Sequence, residues 1–405
     1  MRLLYLVHQF FPKYYTGTER LTLDLANQMQ RIGHHPTVIT YEPGPANVSS
    51  GTADQFQRIT DRILVRRYSY AGVPVVALKH TSQADVSEIF HPEVEEAYRR
   101  LGISCDLVHI FHPMWLSSIG IACKDSGIPV IMTLTDAWLL CPRGPLLDLR
   151  LALCNGPERG ERCWAQCRLR VISRYQDAKY LFETVDKVTV ASSFLASLFD
   201  KNGWHRSFRI IPHSVNYAFV KPNHDSNKPR LTLGYIGTIS WHKGLHVLIK
   251  ALRKVPNPDI TLKIYGAPAD LDYYRTVLEL AREDGRIQFL DPFDLADSWR
   301  IMKDISVLAV PSTYSENYPL VLLLALAYRV PAIASNIGGI PEIVKHRVNG
   351  FLFDVGRSDQ LAEWIEQIIR DPNLLETARN NIVPPRRIES EALDYENMYR
   401  SLVRY

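Results

Sequence analysis

Residues 305–344 read ISVLAVPSTYSENYPLVLLLALAYRVPAIASNIGGIPEIV. An apolar run of strand length, Ile305–Val310, passes through a polar turn to Pro319, then through an apolar helical stretch to a second short run, Pro331–Ala334. Strands apolar on both faces are those of a parallel sheet covered by helices, so the segment predicts a β-α-β unit. Proline suits a first helical turn, where its missing N–H goes unnoticed. The same alternation continues on either side. Leu231–Ile236, Ile260–Tyr265, Arg286–Leu290 and Gly350–Phe353 read as further strands, with helical patterns at Gly244–Leu252 and Leu271–Glu283. A second set precedes them: Leu3–Val7, Thr37–Thr40, Ile63–Arg66, Leu107–Phe111, Val130–Leu134, Lys187–Ala191 and Phe208–Ile211. Each set predicts one Rossmann-like, doubly wound α/β domain.

The expected organisation is an N-terminal domain over 1–220, a linker over 221–230, a C-terminal domain over 231–388 and a final helix over 389–405, whose apolar pattern alone leaves it open to either domain. The linker, KPNHDSNKPR, carries two prolines and no aliphatic or aromatic side chain, the composition of an exposed connection. Doubly wound sheets bind ligands beyond the carboxyl ends of their strands, so the expected site is a cleft with the two domains facing each other across it.

The 405 residues suit two domains at roughly 150 residues each. Hydrophobic residues at 46% and charged ones at 22% exclude a disordered or low-complexity chain. The net charge of +4 is too small to argue for nucleic-acid binding. The N-terminal apolar run is too short for a signal or membrane span, and no other stretch reaches the roughly 18 apolar residues a spanning helix needs. The expected compartment is therefore the cytoplasm, with any membrane contact peripheral.

After Val7 the chain runs HQFFPKYYTGTE, with one glycine, Gly17, ahead of a helix expected at Arg20–Ile32. This lacks the G-x-G-x-x-G of a dinucleotide site, so NAD and FAD are not expected. Gly17 can still mark a helix start that an anion approaches, although helix capping alone explains the turn. In the second domain GYIGTISWHKGLHVLI presents Gly237, then Lys243 beside Gly244 at a helix start. A lysine there can neutralise a diphosphate, or be a solvated surface charge. Glu316 lies just before the helix that opens near Pro319, whose first N–H groups at Leu320 and Val321 can cradle phosphate oxygens. A carboxylate beside an anion site fits hydroxyl groups, as on a sugar, better than phosphate; loop stabilisation is its plain alternative.

These segments, with DLVHIFHP, GIPVIMTLTDAWLLCPRG, VTVASSFLASLF, IIPHSV, YGAP and NGFLFD, resemble the family 4 retaining glycosyltransferases of the GT-B type over nearly the whole chain. The resemblance implies a nucleotide-sugar donor (a UDP- or GDP-sugar) held mainly by the second domain. It implies a glycan, lipid-linked or small-molecule acceptor held mainly by the first, as in polysaccharide biosynthesis. It also implies retained anomeric configuration, no cofactor or metal required for catalysis, and a C-terminal helix over 389–405 that crosses back onto the first domain. By position, Gly17 matches the glycine loop near the donor phosphates, and Lys243 the diphosphate-contacting lysine. Glu316 matches the first glutamate of E-x7-E, and Asn317, Tyr318, Pro319, Leu320 and Val321 the backbone over the phosphates. Gly237 and Gly266 belong to the same donor set, and Asp136 is the implied catalytic residue on the acceptor side, with His109 and His112 as further candidates there. Three positions depart from the family: Leu324 replaces the second glutamate, Thr238 the arginine that partners the lysine, and Thr135 the histidine before Asp136. The alternative is a catalytically silent homologue that serves as a binding partner or scaffold.

Cys141, Cys154, Cys163 and Cys167 fall in the spacing C-x12-C-x8-C-x3-C, which can hold a structural zinc or leave thiols or disulfides. Cys105 and Cys123 read as core thiols. Arg159, Arg162, Arg168, Arg170 and Arg174 form a basic stretch that can dock on anionic lipid or simply be solvated. Asp270-Leu271-Asp272 resembles a metal-binding D-x-D but opens a helix, where capping explains it.

Overall fold

The computed structural model describes residues 1–43, 56–85, 87–157, 161–169, 171–217, 231–293 and 297–403. The expected linker at 221–230 lies outside these residues, as do Arg159 and Arg170. The chain divides into two units: Met1–His213 with Arg387–Tyr405, and Ser214–Arg386.

Unit 1 is built on a nine-stranded sheet of β1 (Arg2–Val7), β2 (His35–Tyr41), β3 (Gln57–Arg58), β4 (Ile63–Tyr70), β5 (Val73–His80), β6 (Leu107–Ile110), β7 (Val130–Leu134), β8 (Lys187–Val190) and β9 (Phe208–Ile210). Their order is β3-β4-β5-β2-β1-β6-β7-β8-β9. Only the β3-β4 and β4-β5 pairings are antiparallel. The sequence reading has neither β3 nor β5. In β4 the burial turns from continuous to alternating after Val65, and the hairpin into β5 turns on Ala71 and Gly72, both at positive φ.

Unit 2 holds six parallel strands, β10 (Leu231–Ile236), β11 (Ile260–Tyr265), β12 (Ile287–Leu290), β13 (Val307–Val310), β14 (Ala332–Ser335) and β15 (Gly350–Phe353), in the order β12-β11-β10-β13-β14-β15. The topology reverses between β10 and β13, and ligands of such sheets bind beyond the carboxyl ends of the strands at that reversal.

The first crossing between units falls at Ser214, some residues before the expected 220, because Val215 and Tyr217 pack into the unit 2 core with Met302, Leu308 and Leu322. The return falls at Arg387. The helix Ile388–Leu402 then lays Ala392, Tyr395, Met398 and Tyr399 against β1 and the helix Gly17–Arg31 of unit 1. Tyr399 and His109 are both fully buried, and the Tyr399 hydroxyl meets His109 Nδ1 at 2.7 Å. His109 Nε2 meets Thr133 Oγ1 at 2.6 Å. Burial pushes this imidazole down to about 3. His109 is thus a neutral core tie for the last helix, which corrects its expected place near an acceptor.

Candidate functional site

In unit 2 the loop after β10 carries Lys243 and the loop after β13 carries Glu316, the two strands that flank the reversal. Lys243 Nζ lies 2.7 Å from Glu316 Oε1 and donates to the Tyr314 hydroxyl at 2.9 Å. Tyr314 in turn donates to Glu316 Oε2 at 2.6 Å, and Ser312 Oγ donates to Oε1 at 2.8 Å. Burial alone would raise the Glu316 carboxyl, yet Lys243, Tyr314 and Ser312 outweigh it and hold it below the usual range. Burial alone would lower the Lys243 ammonium, and Glu316 with Tyr314 more than offsets that. Both groups are therefore charged at neutral pH. An ammonium has three donors and a carboxylate about four lone-pair positions. Two donors on Lys243 and three positions on Glu316 are used, which leaves each group one bond to offer a ligand.

Backbone geometry fixes this pair. Gly244 follows Lys243 at φ 72°, and a Cβ there would lie 1.8 Å from the Pro311 carbonyl oxygen; the two loops touch only because this residue is glycine. Gly338, at φ 61°, would drive a Cβ to 2.2 Å from the Glu316 carbonyl oxygen, the atom that accepts the Gly339 N–H at 2.8 Å. Asn317, Tyr318 and Pro319 lead from Glu316 into the helix Leu320–Ala327, with Pro319 as its N-cap. The N–H groups of Leu320 and Val321 open this helix and have no partner within it. Gly237 and Gly266 close the ends of β10 and β11, with Gly237 N–H on the Tyr265 carbonyl at 3.0 Å. Thr238 gives its carbonyl to the Tyr235 hydroxyl. Leu324, included in the donor set, is 6% exposed and packs in the apolar core, so it brings no polar atom to the site. Asp270 caps the helix Leu271–Ala281, accepting the N–H groups of Asp272 and Tyr273.

Unit 1 has its own cluster where β1, β6 and β7 end. Asp136, after β7, is 48% exposed through its side chain and lies 3.4 Å from His112 Nε2. His112 Nδ1 accepts the Met114 N–H at 3.3 Å, so Nε2 carries the proton that faces Asp136. Burial would raise the Asp136 carboxyl, but His112 and the Trp138 N–H keep it below the usual range. The His112 ring lies against His8, with centroids 4.0 Å apart, and His8 Nε2 is 3.8 Å from the fully buried Glu19. Gly17 is the first residue of the helix Gly17–Arg31 rather than part of a preceding loop. The N-cap Thr16 donates its hydroxyl to Glu19 Oε2 at 2.6 Å.

A profile of Glycosyltransferase Family 4 matches residues 15–219, just over half of the chain. The chain belongs to glycosyltransferase family 4. The second half of this family 4 member, residues 217–382, matches the Glycosyl transferases group 1 profile. It is 26% identical over 237 residues to the N-acetyl-alpha-D-glucosaminyl L-malate synthase of Bacillus anthracis, covering 56% of this chain and 55% of that one. It is 28% identical over 286 residues to the D-inositol 3-phosphate glycosyltransferase of Corynebacterium efficiens, covering 64% and 62%. The family 4 chain thus spans about half the length of the curated relatives it matches. Among solved structures, Anabaena HepE in complex with UDP and glucose superposes with a TM-score of 0.72 at 19% identity, over 98% of this chain and 99% of that one. The WaaG glycosyltransferase involved in lipopolysaccharide biosynthesis gives 0.64 at 16%, over 98% and 99%. At such identities these show the fold, two parallel-sheet α/β domains of GT-B type.

Lys243 meets Glu316 within unit 2 and Asp136 meets His112 within unit 1, contacts that no local pattern in the sequence reveals. Tyr314 and Ser312, which with Lys243 hold the Glu316 carboxyl below its usual range, lie inside a polar turn whose one signal in the sequence is a tyrosine two residues before Glu316; His8 and Glu19 flank the glycine turn and carry no such signal. The basic stretch also changes: Arg174 is 5% exposed and points inward, bonding the Trp138 and Leu139 carbonyls, so it lends nothing to a basic face. No described helix is long and apolar enough to cross a membrane.

Proposed function

We propose that this chain transfers a sugar from a UDP- or GDP-sugar, with retention of configuration, to a hydroxyl of a glycan, lipid-linked or small-molecule acceptor. The observation that carries the reading is the charged Lys243–Glu316 pair at the sheet reversal of unit 2, beside a helix start. Departure of a nucleoside diphosphate builds negative charge on its phosphate oxygens. The remaining Lys243 N–H and the N–H groups of Leu320 and Val321 meet that charge in fixed positions, the arrangement that lowers such barriers most. Glu316, held ionised, accepts a hydroxyl of the donor sugar and so orients it. Asp136, ionised and oriented by His112, accepts the acceptor hydroxyl. A panel of UDP- and GDP-sugars offered with simple glycan acceptors tests this: release of nucleoside diphosphate and an NMR-defined product anomer matching the donor are expected. An inverted product would refute retention, and no release from any donor would favour the second reading. That reading, a catalytically silent homologue serving as a binding partner or scaffold, draws on Leu324, whose apolar side chain cannot hold the ribose hydroxyls.

We also propose that unit 1 meets an anionic lipid surface, as a lipid-linked acceptor would require. Leu149, Leu151, Leu153, Trp164, Ile172 and Tyr180 are exposed, and Arg150, Arg162 and Arg168 are exposed among them, the mixture that suits a headgroup boundary. Co-sedimentation with phosphatidylglycerol vesicles should exceed that with phosphatidylcholine at least about tenfold at low salt, falling severalfold in Trp164→Ser. Equal or absent sedimentation with both lipids would sink this contact.

A further inference from the structure

Four of the six cysteines gather around one small cavity of unit 1. Cys141 follows β7, Cys154 follows the Leu147–Leu153 bridge, and Cys163 and Cys167 lie on the helix Glu161–Cys167. All four line the same cavity with Leu146 and Leu147, and all four are free thiols. The last two are four residues apart and so share one helix face. Cys154 Sγ donates to the Gly156 carbonyl at 3.6 Å and accepts the Gly156 N–H at 3.5 Å, with Gly156 at φ 121°.

Arg174 supplies an independent observation. Its guanidinium is buried, bonded to two carbonyls and stacked over Trp138. Its Nε has no partner, and no carboxylate lies within salt-bridge distance of it among the described residues. The thiols of Cys141 and Cys163 and the Asp136 carboxylate are near enough to act on it. A buried cation is costly unless opposite charge lies near it; Asp136 supplies part of that charge, and net negative charge at the cysteines would add to it.

We propose that Cys141, Cys154, Cys163 and Cys167 bind one zinc ion as a closed, structural tetrathiolate centre, and that this centre fixes the loop carrying Asp136. Binding deprotonates four thiols: one Zn²⁺ enters, four protons leave, and the centre carries net charge −2 facing Arg174. Zinc is chosen because soft thiolates in a closed tetrahedral set favour it and no redox partner is needed. Among the described residues, the group whose ligand atoms all lie within 4.8 Å of one another is His80, His91 and Glu93, where His80 is already bonded to Tyr41 and Glu93. The thiols stand further apart than that, so zinc must draw them in, and loading should tighten residues 136–167.

The test uses the full chain purified without chelator or metal affinity resin. Elemental analysis should find about one zinc per chain, retained in Cys105→Ser/Cys123→Ser and reduced at least about tenfold in Cys163→Ser/Cys167→Ser. Should the latter fail to fold, a mercurial titration of the wild type decides: zinc release complete with the titration of four thiols supports the site. Less than a tenth of a zinc per folded chain, iron in its place, or disulfides in the unreduced mass would overturn it. Hydrogen exchange over 136–147 should quicken on zinc removal while 231–353 stays unchanged; equal exchange would overturn the link to Asp136. None of these outcomes depends on the transferase reading.

Discussion

Lys243→Met should remain folded at neutral pH yet lose about 3 kcal/mol of unfolding free energy in unit 2, and lose turnover by about 10²–10³-fold. The stability loss follows because Glu316, 6% exposed, keeps its charge while its counter-ion is gone. The figure is taken at the low end for broken buried pairs because Lys243 is partly exposed through its side chain. Lys243→Met/Glu316→Gln should regain most of the stability and none of the activity, since an uncharged pair costs far less to bury. The pH dependence has a definite sign. Glu316 is held below its unfolded value, so its contribution is present above about pH 5 and fades as pH falls through the folded value. Lys243 is held above its unfolded value, so its share is present below about pH 10 and lost in stronger alkali. Urea unfolding of wild type and single variant should therefore differ by a constant amount between pH 6 and 9 and converge on acidification below about 4. A difference that grows on acidification would contradict this pairing.

Ending the chain after Arg386 should abolish the native state of unit 1. The last helix buries Tyr395 and Tyr399 completely, each contributing about 1.5–3 kcal/mol by burial. Its loss strands His109 Nδ1 and takes the Tyr399 partner from the Tyr5 hydroxyl. Each buried group left unpaired costs about 1–3 kcal/mol more. The sum is comparable to the whole stability of a domain, about 5–15 kcal/mol. Hydrogen exchange should show protection lost over 1–213 and kept over 231–386. Tyr399→Phe is the milder form, expected to cost about 1–3 kcal/mol. Retained protection of β1 and β6 in the truncated chain would mean the helix is an accessory rather than part of the core.

Parallel strands announce themselves because burial on both faces makes them continuous apolar runs, as in Leu3–Val7 and Val307–Val310. The β5 strand is a nearly continuous buried run as well, but Pro74 inside it argues against a strand. Its partner β4 alternates after Val65, and Ala71-Gly72 lacks the asparagine or aspartate that usually signals a two-residue hairpin. Single site residues were legible where a local rule applies, as for Pro319 at a helix start. Contacts across chain separation were not: nothing in the order of residues reveals that Lys243 meets Glu316 rather than solvent, or that His109 is closed off by Tyr399 nearly three hundred positions later. The cysteines are intermediate, since their spacing is visible while their convergence on one cavity is not.

Calorimetric titration of UDP and GDP into the full chain addresses the diphosphate cradle most directly. One of the two nucleotides should bind the wild type with micromolar affinity, and its affinity should fall about 30-fold or more in Lys243→Met, the equivalent of about 2 kcal/mol for a lost charge-assisted bond. Binding of neither nucleotide at millimolar concentration, or equal affinity in wild type and Lys243→Met, would contradict the account.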